Sequence, residues 1–116
     1  MTITEFAVST MTDKDVLDII KRSCNRWGFN LLRAYFIRSS LEVYLLFDGQ
    51  CDDGHVSMDV DGALAGYLDR FTFEDLNCEL SINSEVCPNT ICIKSKENYD
   101  SITSSAGGVE LCKMIL

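Results

Sequence analysis

The spacing of apolar residues near the start of the chain predicts an amphipathic helix over residues 12–27. An apolar residue occurs at every third or fourth position, namely Val16, Ile20, Cys24 and Trp27. This period puts all of them on one helical face, so we expect Trp27 to join the core. Thr12 and Asp15 have the spacing of a capping box, and Gly28 is typical of the residue that follows a helix.

Six segments alternate between apolar and polar residues or are rich in strand-forming residues, which predicts β-strands. They are residues 2–9, 30–38, 41–47, 55–60, 76–82 and 90–95. The second and third segments are joined by Ser39 and Ser40, which favours a hairpin. In the fourth segment, the alternation places Val56, Met58 and Val60 together on the buried side.

Residues 62–71 have helical spacing, although two glycines weaken the pattern. Pro88 lies in a predicted turn, and the apolar residues 109–116 are expected to pack as a strand or a short helix. The sum predicts one α+β domain over residues 1–116, with a mainly antiparallel sheet of about four to six strands. The helix over 12–27 packs on one face of this sheet, with room for a second short helix over 62–71.

The composition is that of an ordinary folded domain and not of a disordered chain. The chain has 116 residues, of which 47% are hydrophobic and 24% charged, near the globular average. No apolar run approaches the ~20 residues that cross a bilayer, and the first residues lack an export signal. We therefore expect a protein of the reducing cytoplasm, with mostly thiols in place of disulfides. The cysteines are Cys24, Cys51, Cys78, Cys87, Cys92 and Cys112.

Negative charge is concentrated in the middle third of the chain. The net charge is −8, and residues 48–85 carry ten carboxylates against the single basic Arg70. The carboxylates are Asp48, Asp52, Asp53, Asp59, Asp61, Asp69, Glu74, Asp75, Glu79 and Glu85. The predicted strands turn Asp59 and Glu79 away from the apolar side, so we expect one outward-facing acidic patch. Solubility alone is the alternative explanation of this charge.

A dense negative patch favours a partner with a basic surface, because opposite potentials speed encounter and select the partner. Basic surfaces are typical of proteins that bind nucleic acid. A folded acidic protein that mimics nucleic acid would block such a surface without turnover. The same charge argues against direct binding of nucleic acid or of an anionic membrane. In size and charge the chain resembles small acidic inhibitors of bacteria and phages, such as immunity proteins of nuclease toxins and inhibitors of CRISPR or restriction enzymes.

We therefore predict a stoichiometric inhibitor with a set of partner-binding residues centred on the acidic segment. The predicted set is Asp48, Asp52, Asp53, Asp59, Asp61, Tyr67, Asp69, Glu74, Asp75 and Glu79. Tyr67 is included because an exposed tyrosine among carboxylates suits a binding hot spot. Tyr44 falls opposite the apolar face of its strand and is expected to be exposed. The sequence leaves open whether the protein is a monomer or a dimer.

No catalytic residue, metal or cofactor is predicted. Three oxygen-bearing side chains have the odd spacing that begins a calcium loop, namely Asp48, Gln50 and Asp52. The sixth and twelfth positions are Asp53 and Asp59, where such a loop needs glycine and glutamate. His55 lacks the companion ligands of a zinc site. Two alternatives to an inhibitor stay open: a small enzyme that uses carboxylates or the Cys51 and His55 pair, and a structural or adaptor subunit that forms a homodimer.

Overall fold

The computed structural model describes residues 11–50, 53–74 and 87–113. Within these ranges the order of elements is helix, two strands, helix, strand, helix, strand, so the predicted α+β class is confirmed. The strands predicted over residues 2–9 and 76–82 lie outside the described residues. No helix in the described ranges is long and apolar enough to span a membrane.

The first helix, α1, spans Asp13–Arg26, as its sequence pattern predicts. The Thr12 hydroxyl accepts the N–H of Asp15, and the Asp15 carboxylate accepts the N–H of Thr12 in return. The predicted capping box is therefore confirmed. These hydrogen bonds with Thr12 hold the pKa of Asp15 below its usual value. Beyond the helix, Gly28 adopts a left-handed conformation with φ of 63°, which ends α1.

Two strands, β1 (Asn30–Ile37) and β2 (Glu42–Asp48), form the predicted antiparallel hairpin. Their connection ends at Leu41, which has φ of 56° although it is not a glycine. The Leu41 side chain is fully buried, and this burial offsets the cost of the left-handed conformation. The Leu41 carbonyl accepts the N–H of Asn89, with an N to O distance of 3.0 Å, and so positions the next strand.

Residues Asp53–Glu74 form one helix, α2, so the strand predicted over residues 55–60 is wrong. The helix predicted over residues 62–71 lies inside α2. The buried side chains of α2 are spaced four residues apart and are Val56, Val60 and Leu64. Met58, which a strand would place on the same side, is 74% exposed. Val56 and Val60 are therefore buried because they are four residues apart on a helix, and not because they alternate along a strand.

The helix α2 connects β2 to β3 (Asn89–Ile93), which pairs parallel to β2. The last described strand, β4 (Val109–Lys113), pairs antiparallel with the other side of β1. The order in the described sheet is therefore β3-β2-β1-β4. The strand predicted over residues 90–95 is confirmed. Of the two structures expected for residues 109–116, the described part forms the strand.

Side chains pack on both faces of the sheet. On one face, α1 and α2 cover the main core, which includes Ile20, Phe36, Val43, Val60 and Leu64. On the other face, a third helix, α3 (Lys96–Thr103), buries Tyr99 against Tyr35 and Leu46. No apolar period in residues 96–108 predicts α3, because Tyr99 is the one residue of this helix that is buried.

Tyr44 is half-buried and not exposed, contrary to the prediction from its strand phase. It packs against the cluster around Tyr99, because α3 covers the face of the sheet that the sequence pattern assigns to solvent. The Tyr44 hydroxyl donates to Glu42 Oε2 at 2.7 Å, and the Ser40 hydroxyl donates to Oε1 of the same carboxylate at 2.7 Å. These bonds lower the pKa of Glu42. The hydrogen bond to that carboxylate, helped by burial, raises the pKa of Tyr44 to about 12.

Arg33 on β1 joins α3 to β4. Its guanidinium donates to both carboxylate oxygens of Glu110, at 2.7 and 3.1 Å, and to Asp100 Oδ1 at 2.6 Å. The guanidinium also lies over the Tyr99 ring, 4.6 Å from its centroid. The hydrogen bonds to Glu110 and Asp100 raise the pKa of Arg33 above its usual value. A guanidinium that donates to both oxygens of one carboxylate fixes the orientation of the two side chains as well as their distance. This pair therefore holds β4 against β1.

Candidate protein-binding surface

Several elements of the fold begin or end at one end of the molecule. β1 starts at Asn30, which pairs with Asp48 at the end of β2. α1 ends just before Trp27, and α2 begins at Asp53. The two helix ends are neighbours, because the ring of Trp27 stacks on the ring of His55 in the first turn of α2. Element ends and loops on a rigid scaffold are where proteins commonly carry their binding residues.

Trp27 lies at this end of the molecule and is partly exposed, so its predicted burial in the core is wrong. Its side chain is 40% exposed. The indole lies 4.7 Å from the His55 ring, centroid to centroid, with 21° between the planes. The indole N–H donates to Asp59 Oδ2 at 3.2 Å. Trp27 is the residue after the last helical position of α1, so the helical period does not determine where its side chain points.

Asp59 is paired with a base from the neighbouring helix. The Arg26 guanidinium donates to both Asp59 carboxylate oxygens at 2.8 Å. The Arg26 side chain is 62% exposed, and exposed ion pairs contribute roughly 0–1 kcal/mol. The effect of the pair is therefore mainly geometric, since one carboxylate holds both Arg26 and Trp27 against α2. Although Asp59 was predicted as part of an acidic patch, α1 neutralises its charge.

Met58 lies about one helical turn after His55, and Asp48 and Asp53 lie at the end of β2 and the start of α2. Met58 is 74% exposed, and Asp48 and Asp53 are both exposed. The four ion pairs within the described residues use other carboxylates. We define the Trp27 surface as the exposed residues at this end of the molecule, namely Trp27, His55, Met58, Asp48 and Asp53.

Asp59 and Asp61 lie on opposite flanks of the buried stripe of α2. Two residues along a helix correspond to a rotation of about 200°. Asp61 therefore faces β3, where its carboxylate accepts the Thr90 hydroxyl at 2.6 Å, whereas Asp59 faces α1. Burial raises the pKa of Asp61, and the hydrogen bond from Thr90 acts in the opposite direction. These two predicted contact residues thus have different neighbours, and Asp61 does not belong to the Trp27 surface.

The other predicted contact residues lie elsewhere. Tyr67 is half-buried, lines a groove between α1 and α2, and donates from its hydroxyl to Asp15 at 3.4 Å. Asp69 and Glu74 belong to the later turns of α2, ~24 Å or more from Asp53 at 1.5 Å rise per residue. The remaining predicted residues lie outside the described part of the chain: Asp52, Asp75 and Glu79.

Within the described part of the chain, no group of three or more histidine, cysteine or carboxylate side chains could hold a metal ion. The segment considered for calcium is helical from Asp53 onward, so it does not form a calcium loop. His55 stacks on Trp27, and Cys51 lies outside the described residues. The pairing of Cys51 with His55 therefore stays a prediction.

Sequence reasoning missed Met58 and Arg26 as parts of this end of the molecule. The predicted strand over residues 55–60 placed Met58 on its buried face. One signal was present: Trp27 directly precedes Gly28, so it lies where a helix is ending and its apolar period no longer applies. The pairing of Arg26 with Asp59 depends on how two helices pack, and no local pattern carries that information.

Comparison of the chain with protein-family models, with curated proteins and with solved structures finds no match. The chain's own residues are therefore the evidence for its function. They give an exposed tryptophan held in place by neighbouring side chains, with an exposed methionine and two exposed carboxylates at the same end of the molecule. Tryptophan and methionine are enriched in protein interfaces relative to other surfaces, which makes this end of the molecule the candidate surface for binding a partner.

Proposed function

We propose that the protein is a stoichiometric inhibitor that uses the Trp27 surface to cover a basic surface of a nucleic-acid-processing protein. The observation that carries this proposal is the exposed but fixed indole of Trp27. Its stack on His55 and its hydrogen bond to Asp59 restrict the ring before any partner binds. A restricted side chain loses little freedom on binding, and buried tryptophans are frequent hot spots. The exposed Met58, about one helical turn after His55, would supply an apolar contact that adapts to the partner's shape.

Charge supports a basic partner. The chain has a net charge of −8, and Asp48 and Asp53 are exposed at the end of β2 and the start of α2, at the same end of the molecule as Trp27. Opposite charge on the partner would speed association, and salt would weaken this effect. Proteins that bind nucleic acid carry lysines and arginines to neutralise phosphates. Covering those residues would exclude nucleic acid, which is how an immunity protein of a nuclease toxin, or a phage inhibitor of a CRISPR or restriction enzyme, would act.

The first test compares the proteins that the wild-type chain and its surface variants capture from the source cell. Trp27→Ala should reduce capture of a specific partner by at least about tenfold, since truncating a hot spot costs about 2 kcal/mol or more. Asp48→Lys combined with Asp53→Lys should slow association with the purified partner and flatten its salt dependence. Nucleic acid should compete with the wild-type chain. Trp27 is the sole tryptophan, so its fluorescence reports directly on contact at this surface.

Glu97→Lys is the matched control for charge reversal. Glu97 is exposed in the first turn of α3, on the other face of the sheet, so its reversal should leave capture unchanged. Thermal unfolding of each variant checks that loss of binding is not loss of folding. Capture that survives both the Trp27 and the aspartate changes would overturn the proposal. A partner for which nucleic acid does not compete would overturn it equally.

A further inference from the structure

A groove opens between α1, the start of β1, and β4, on the side of α1 that does not contact α2. It has a volume of about 500 Å³, within the roughly 300–1,000 Å³ typical of small-molecule sites. The residues that line it are Lys21, Cys24, Asn25, Phe29, Asn30, Leu31 and Cys112. None of them belongs to the Trp27 surface.

The floor of the groove is apolar. Phe29 and Leu31 are 6% and 7% exposed, and Cys24 is 5% exposed, so their side chains pack into the core beneath. Cys112 on β4 is half-buried and forms one wall. A thiol behaves largely as a small apolar group in such surroundings. Burial raises the pKa of Cys112 above its usual value, so this wall stays uncharged at neutral pH.

The rim of the groove is polar and carries a positive charge. Lys21, Asn25 and Asn30 are all exposed. Lys21 and Cys112 both line the groove, and the Lys21 ammonium partly opposes the effect of burial on the Cys112 pKa. None of the four ion pairs within the described residues uses Lys21. The site therefore offers an ammonium and two side-chain amides above an apolar floor, in a chain whose net charge is negative.

We propose that this groove binds a small amphiphilic anion, with its anionic head against Lys21 and its apolar tail over Phe29 and Leu31. A carboxylate head fits the ammonium and the amide donors of Asn25 and Asn30. A short alkyl tail would cover the apolar floor, and each buried CH₂ group favours binding. The ligand class is therefore a medium-chain fatty carboxylate or a molecule of similar size and charge. This inference does not depend on the proposed inhibitor function.

The unmodified chain contains its own reporter of occupancy. Cys112 lines the groove, whereas Cys87 is exposed and lies elsewhere. Decanoate, used below the concentration at which it forms micelles, should slow alkylation of Cys112 in proportion to the bound fraction. Alkylation of Cys87 should be unchanged. Peptide mapping by mass spectrometry measures both rates in the same sample. Decyltrimethylammonium, which has the same tail and the opposite charge, should protect Cys112 much less.

A matched pair of lysine variants tests the position of the head group. Lys21→Gln should weaken decanoate binding about two- to fivefold, the range expected for one exposed charge pair. Lys96→Gln, on the other face of the sheet, should leave binding unchanged. The proposal is overturned if decanoate gives no protection at any concentration below micelle formation, if it protects Cys87 as much as Cys112, or if Lys21→Gln binds as tightly as the wild-type chain.

Discussion

The Tyr35 hydroxyl lies 2.6 Å from the backbone nitrogen of Gly108 and accepts its N–H. This contact brings the segment before β4 directly over β1. A Cβ atom at Gly108 would overlap the backbone oxygen of Phe36 and would lie 2.6 Å from a ring carbon of Tyr35. β4 can therefore pair with β1 at this point because residue 108 has no side chain.

Gly108→Ala should destabilise the protein by about 1–3 kcal/mol, the usual cost of forcing atoms into a packed site. Gly62→Ala is the control, since Gly62 lies inside α2 with no atom within 4 Å of an added Cβ. That change should stabilise the protein by about 0.5–1 kcal/mol, because alanine favours helix. Urea unfolding of both variants measures the two effects. Equal stability of the two variants would contradict the account of Gly108.

Truncation along α2 distinguishes the helix from the strand that the sequence pattern suggests. Leu64 is fully buried and Met58 is 74% exposed. Leu64→Ala should cost about 2–5 kcal/mol, whereas Met58→Ala should change stability by no more than about 0.5 kcal/mol. A strand would instead bury Met58 together with Val56 and Val60. A large loss of stability in Met58→Ala, measured by urea unfolding, would therefore contradict the helix.

Asp61 should make the stability of the folded protein depend on pH, in a direction that follows from the shift of its pKa. Because burial raises the pKa of Asp61 in the folded state, this group contributes most to stability below its unfolded pKa. That contribution is lost as the pH rises through the folded pKa. Asp61→Asn keeps an oxygen to accept from Thr90 and removes the charge. We expect this variant to be more stable than the wild type at neutral pH, with the difference shrinking as the pH falls to about 4.

The measurement for Asp61 is urea unfolding of both chains across this pH range. Asp53→Asn is a suitable comparison, because Asp53 is exposed in the first turn of α2. A carboxylate there interacts favourably with the helix dipole, so its removal should slightly destabilise the protein at neutral pH. A wild-type chain that is more stable than Asp61→Asn at neutral pH would show that the hydrogen bond from Thr90 outweighs burial.

Tyr44 should ionise at a higher pH than an ordinary tyrosine. Its hydrogen bond to Glu42 and its burial raise its pKa to about 12. The stabilisation from this pair is present below about pH 10, the unfolded value, and is lost as the pH rises through about 12. Ultraviolet absorbance of phenolate follows the titration. Glu42→Gln should move the ionisation of Tyr44 toward lower pH. Ser40→Ala, which leaves the hydrogen bond between Glu42 and Tyr44 intact, should not.

The elements that the sequence predicts correctly have complete local signals. For α1, the apolar period, the capping box of Thr12 and Asp15, and Gly28 all agree. The hairpin has two strand patterns joined by a short connection. In α2, by contrast, Val56 and Val60 fit a period of two as well as a period of four. The structure resolves this ambiguity because α1 packs against α2, a contact between distant parts of the chain.

Other features depend on tertiary contacts from the outset. α3 buries one residue, Tyr99. A single buried residue cannot show the repeated spacing that predicts a helix. The acidic segment was expected to form one patch, yet helical rotation sends Asp59 to α1 and Asp61 to β3. The total charge of a segment can be counted from sequence, but the direction of each carboxylate depends on the element that carries it. The Trp27 surface could not be predicted because its residues come from the ends of two helices that are distant in the sequence.

The pairing of β4 with β1 has a consequence for the chain as it is being made. Arg33 and Glu110, which join the two strands, are 77 residues apart. The hairpin of β1 and β2 therefore leaves the ribosome long before the strand that closes the outer edge of β1. An apolar strand with an open edge pairs readily with other chains. A chain that lacks β4 leaves this edge of β1 unpaired, so we expect it to aggregate more readily than the intact chain.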